Sequence, residues 1–248
     1  AAGLALWAMR GQDLAGSGLD RPVERWDAGH WTLRMQDGAV ITLAAAFLVL
    51  PLAAIVASGV PGLARLPGPV FSAAALSIAV AVGSTVVMVI LAVPMALAVG
   101  LGRSGARAVE LAGLLGLAVS PLVIGTGLFV LLYPVADPFA LALPVTALVN
   151  ALMALPFALR VLVPAVREIL GAHGRLALSL GMSGRPFVRL ILLPRLKAPL
   201  GFAAGLCAAL SMGDLGVIAL FADPELATLP LQIFRLRGAY QTEAAAGA

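Results

Sequence analysis

Apolar and polar residues come in blocks along this chain. Continuous apolar stretches occupy 39–59, 70–101, 109–133, 141–163 and 198–221. A helix needs about 20 such residues to cross a hydrocarbon core of about 30 Å, so the pattern predicts an all-α, polytopic transmembrane helical bundle with about five complete spans. Residues 1–9 read as the end of a preceding span. Residues 10–38 are polar and mixed in charge, a linker outside the bilayer. The Pro/Gly-rich "GVPGLARLPGP" turns the chain after the first span. Pro94 is expected to kink the second span, and Pro144 and Pro156 to break the fourth. Ser120-Pro121, within the third, reads as a kinked polar site facing the bundle interior. Beyond 163 lies a basic segment, 164–195. After 221 the chain is polar again, with the short amphipathic "LPLQIFRLR". The last span is expected to be truncated after Ala248.

Composition supports the bilayer as the solvent. Charged residues make up 11% of the chain, against about a quarter in soluble domains. The net charge of +4 does not point to nucleic acid, because the basic residues sit between apolar blocks. Counted by alternating sides, 13 of the 16 fall on one side: in 10–38, in "GRSGAR", and in 160–197. The positive-inside bias makes that side cytoplasmic. One cysteine, Cys207, builds no disulfide, and His30 and His173 lie far apart. The sequence holds no G-x-x-x-x-G-K-[ST] loop, metal-ligand set or catalytic triad, so neither a cofactor nor ATP hydrolysis by this chain is expected.

The basic segment "VREILGAHGRLALSLGMSGRPFVRLILLP" reads as two short helices. Val166, Ile169 and Leu170 form one apolar stripe, and Leu176, Ala177 and Leu180 another. Gly181 suits a helix C-terminus and Ser183 a helix cap. Such a pair is either a docking surface or an amphipathic loop resting on anionic lipid.

Gly181, nine residues, Ile191, one residue, Leu193 and Pro194 reproduce a G-x9-I-x-L-P pattern. In this the chain resembles the permease subunits of binding-protein-dependent ABC importers. The resemblance implies a type I importer permease fold over 39–248, with 164–195 as a coupling loop. It implies ATPase-coupling roles for Arg175, Leu176, Ala177, Gly181, Ile191, Leu193 and Pro194. Arg175-Leu176-Ala177 stands where the family carries Glu-Ala-Ala, so the resemblance does not extend to the family's acidic contact. "NALMALPFALRVLVPAVREI", "SMGDLGVIALF" and "ATLPLQIFRLRGAYQTEAAAGA" are similar to the C-terminal half of the thiamine branch. That implies thiamine or its phosphates as substrate. The implied partners are a cytoplasmic ATP-binding subunit, a periplasmic substrate-binding protein, another permease half and lipid, in the bacterial inner membrane. Ferric-iron permeases are the near alternative. An ion-coupled secondary transporter is the distant one, and would favour paired buried carboxylates.

Asp214 is the ionisable residue placed well inside a span, roughly 10 Å from its outer end at 1.5 Å per residue. A charge at that depth faces a cavity, a partner or a pore. It either lines the solute path and attracts a cation, or caps a broken helix. Ser211 falls on the same helix face one turn earlier, and Asn150 in the fourth span is the third candidate; interhelical bonding is the bland reading of both.

Overall fold

The computed structural model describes residues 29–63, 66–102, 104–137, 139–221 and 227–248, with the backbone alone at Thr242 and Glu243. The expected linker 10–38 falls mostly, and the segment 1–9 wholly, outside them. Of the described residues 83% are helical and none is in a strand. α1 (Trp31–Gly62), α2 (Gly68–Gly100) and α5 (Ala142–Ser179) are long apolar helices. Between the last two come α3 (Ala106–Leu114), the 3₁₀ turn Leu115–Leu117 and α4 (Pro121–Leu132). After α5 follow α6 (Arg185–Phe187), a π-helical turn (Val188–Leu192) and α7 (Leu193–Arg195). α8 (Lys197–Met212), α9 (Gly216–Leu220), α10 (Leu229–Gly238) and α11 (Thr242–Gly247) complete the order. Four stretches are long and apolar enough to cross a bilayer: α1, α2, α5 and Lys197–Leu220. The pair Ala106–Leu117 and Pro121–Leu132 makes a fifth if it is counted as one broken span.

That third span is broken more sharply than its one proline, Pro121, suggested: its two parts meet at 99°. The cause is local. Pro121 opens α4 and disfavours helical backbone at the residue before it, and Ser120 is accordingly extended, at φ −70° and ψ 139°. Ser120 is exposed, not turned into the bundle as expected.

The fourth span differs in the other direction. α5 runs unbroken for 38 residues. Pro144 lies in its first turn, where no intrahelical N–H bond is lost. Pro156 does remove a helical donor, and the carbonyl it frees, that of Leu152, lies against Gly116. A Cβ built there would sit 2.7 Å from that oxygen. Absence of a side chain at 116 lets the turn after α3 close on that carbonyl. At 1.5 Å per residue α5 is about 57 Å long, nearly twice the hydrocarbon thickness. The first half of 164–195 is therefore a continuation of the span rather than a separate short helix.

α2, α5 and α8 pack as the central bundle. Met88, Ala92, Ala96, Ala151, Ala158, Leu162, Val166, Ala203 and Cys207 share one buried cluster. Its many alanines let backbones approach closely, which drives association where lipid and side chain are equally apolar. Gly83 lies beside Ala147 and Gly100 beside Val166, so α2 and α5 run parallel. A second cluster at the other end holds Phe221, Val217, Ile218, Val145 and Leu231. α1 leaves Ile41, Phe47 and Leu43 exposed, the face expected of a helix solvated by lipid.

Candidate functional site

The three path candidates, taken from two distant segments of sequence, meet in the central bundle. α8 ends at Met212 and α9 starts at Gly216, so the fifth span is interrupted where Asp214 sits. Asp214 Oδ1 accepts a hydrogen bond from the Gly216 N–H at 3.1 Å. The capping reading of Asp214 is thus realised by one oxygen. The other, Oδ2, is shut off from solvent and has no hydrogen-bond partner. An unpaired buried acceptor costs about 1–3 kcal/mol, so it calls for an explanation. The amide of Asn150 lies beside the same carboxyl group.

Asn150 and Ser211 are both 6% exposed. Asn150 Nδ2 donates to Ser211 Oγ at 3.0 Å. Ser211 Oγ in turn lies 2.9 Å from Ser84 Oγ on α2. Sequence reasoning missed Ser84, which is fully buried. A lone serine in an apolar helix gives little signal, since it can satisfy itself on its own i−4 carbonyl. The polar cluster therefore ties α2, α5 and the α8–α9 break together. Within the described apolar stretches 39–62, 68–100, 121–132, 142–159 and 198–220, Asp214 is the only charged side chain.

The second candidate region is the elbow after α5. The Met182 N–H reaches the Ala177 carbonyl at 2.8 Å, and the Gly181 N–H reaches that of Leu178 at 3.0 Å. These two bonds, with Gly181 at φ +72°, form a Schellman motif. Ala177 is buried because the turn folds back over it, while Arg175 and Leu176 stay exposed. The chain then enters α6 and the π-helical turn. Pro194 cannot donate to the turn before it, and a widened turn accommodates that loss. Ile191 is half-buried, and Leu193 and Pro194 are exposed. The anchor is the residue between, Leu192, which is 1% exposed and joins Phe187 and Leu196 in the central core. The motif spacing leaves Leu192 unspecified, so the pattern alone could not find it. An apolar cavity of about 230 Å³ opens beside the elbow, lined among others by Leu170, Leu178, Met182 and Phe187.

No family model matches the chain. Individual relatives do. The chain is 37% identical over 230 residues to the thiamine transport system permease protein ThiP of Brucella suis biovar 1 (strain 1330), covering 90% of this chain and 42% of that protein. It is 33% identical over 219 residues to the ThiP protein of Salmonella typhimurium and 32% identical over 219 to that of Escherichia coli (strain K12). In both cases the alignment covers 85% of this chain and 41% of the relative. The chain thus spans less than half the length of the curated relatives it matches, and the match falls on their C-terminal half. Together with the apolar helices, these relatives make it a multi-pass protein of the bacterial inner membrane. The chain is thus similar, over about nine-tenths of its length, to the C-terminal half of thiamine transport system permease proteins.

Proposed function

We propose that the chain is the membrane-spanning permease part of an ATP-driven importer for thiamine or its phosphates. The carrying observation is the 37% identity, over 90% of this chain, to proteins named as thiamine transport permeases. A separate cytoplasmic ATP-binding subunit supplies the motor, a periplasmic binding protein delivers solute, and another permease half completes the path. This chain performs no hydrolysis of its own. In this reading the elbow (Arg175, Leu176, Ala177, Gly181, Ile191, Leu193, Pro194) receives the motor's movement. Its rigid connection to α5, and its anchor through Leu192, carry that movement into the bundle.

The polar cluster of Asp214, Asn150 and Ser211 lines the solute path. Its support is chemical. A buried carboxylate oxygen without a donor suits a positively charged solute passing through. Thiamine is such a cation. The break in the span beside Asp214 leaves backbone groups where a helix would hide them, a feature tolerated in membranes where it lines a cavity.

The test is uptake of radiolabelled thiamine in cells whose native copy of this permease is removed. Restoration by the wild-type protein, with ferric-iron uptake unchanged throughout, is the expected result. Normal thiamine uptake in the deleted strain, or restoration of iron uptake instead, would overturn the assignment.

A further inference from the structure

The hydrogen bonds around Ser211 have a direction that the hydroxyl inventory fixes. Ser84 Oγ donates to the carbonyl of Val80 at 2.7 Å. A serine has one proton, so in the 2.9 Å contact between the two hydroxyls Ser84 must accept and Ser211 must donate. The Ser211 proton is then spent, and Ser211 can only accept from Asn150. The contact at 3.0 Å therefore has to come from the amide N–H₂ of Asn150, never from its carbonyl. Every bond in the chain points the same way, from Asn150 through Ser211 and Ser84 to the α2 backbone. The amide that lies beside Asp214 is consequently held with its nitrogen on the side of the cluster.

We propose that Ser84 is a positioning residue for Asp214: by fixing the direction of the Ser84–Ser211–Asn150 chain it locks the Asn150 amide beside the carboxyl group in one orientation, with its N–H₂ on Ser211. Its consequence for transport rests on the solute-path reading above; the orienting role does not. Without the Ser84 acceptor, the Ser211 proton is free to turn to the Asn150 carbonyl. The amide is then free to flip, which exchanges the polar group it sets beside the carboxyl group. Ser84 itself is buried on α2 and no bond joins it to Asp214, so its influence has to pass through the chain.

The experiment uses the complete transporter with its ATP-binding subunit and binding protein. Two readouts are followed in Ser84→Ala, Ser84→Cys, Ser211→Ala and the Ser84→Ala/Ser211→Ala double variant. Cysteine is only slightly larger than serine but accepts hydrogen bonds poorly. One readout is the infrared band of the Asp214 carboxyl group, identified by its absence in Asp214→Asn. The other is the initial rate of thiamine uptake, normalised to protein in the membrane. The band should shift in all four variants and stay in place in Ala92→Gly, a packing change on the same helix. Uptake should fall about three- to tenfold in each, the range one neutral hydrogen bond supports. The double variant should be no slower than either single one. A band that does not move, or wild-type behaviour of Ser84→Cys, would overturn the relay. A shifted band with wild-type uptake in Asp214→Asn would instead leave the relay standing and remove the solute-path reading.

Discussion

Gly181 offers the sharpest test of how the elbow is built. Its φ of +72° lies in the left-handed region, yet an added Cβ there would meet nothing within 4 Å. Substitution therefore carries a backbone cost with no steric cost on top. For an ordinary L-residue that cost is about 1–2 kcal/mol. Asn visits the region more readily, and β-branched residues least. The expected order of stability is Gly, Asn, Ala, Val. At 1.4 kcal/mol per tenfold, Gly181→Ala shifts the closed elbow against an opened one by about fivefold to thirtyfold. Opening loses the Met182-to-Ala177 and Gly181-to-Leu178 bonds together. Two assays on the reconstituted transporter read this. Hydrogen exchange of the peptide around 178–187 should rise in the stated order. Binding-protein-stimulated ATP hydrolysis should fall in the same order and be abolished in Gly181→Val, with membrane insertion intact. If Val proves as protected and as active as Gly, or Asn no better than Ala, the Schellman argument is wrong.

Three further outcomes follow from packing and backbone geometry. Gly116→Ala drives a methyl into the Leu152 carbonyl and should destabilise the folded protein by about 1–3 kcal/mol, seen as a lower midpoint in detergent thermal unfolding. Leu192→Ala removes a side chain 1% exposed and should cost about 2–5 kcal/mol; Leu193→Ala, at 40% exposure, serves as the mild comparison in the same melt. Tyr240 sits at φ +61° and is 92% exposed, closing a second Schellman turn after α10. Tyr240→Gly should stabilise by about 1 kcal/mol; an unchanged or lower midpoint would mean the aromatic ring makes contacts that outweigh its backbone strain.

Much of the architecture was legible because the bilayer enforces it. Each of the five apolar blocks read from the sequence overlaps a helix or helix pair in the structure, since every backbone group in hydrocarbon must be paired within its own helix, although α1 begins before its block, at Trp31, and α5 runs past its block to Ser179. Prolines were less informative. Pro121 bends its span by 99° through Ser120, while Pro156 leaves α5 continuous, with Gly116 lying against the carbonyl it frees. The first effect is local to Ser120 and Pro121, whereas the second sits against a neighbour, Gly116, far away in sequence. The reading of 164–195 as two short helices failed for the same kind of reason. α5 continues through its Gly and His residues to Ser179 because Val166, Ile169 and Ala177 find the core beside it.

By itself the sequence determined the class of solvent, the helical class, the family resemblance and the three polar residues that stand out in apolar surroundings: Asp214, Ser211 and Asn150. These depend on composition and local spacing, which a chain carries with it. Only the tertiary structure decided that the three converge, that Ser84 completes them, and that Leu192 rather than its motif neighbours anchors the elbow. Proton direction in a hydrogen-bond chain is a property of contacts between helices, and no single helix encodes it.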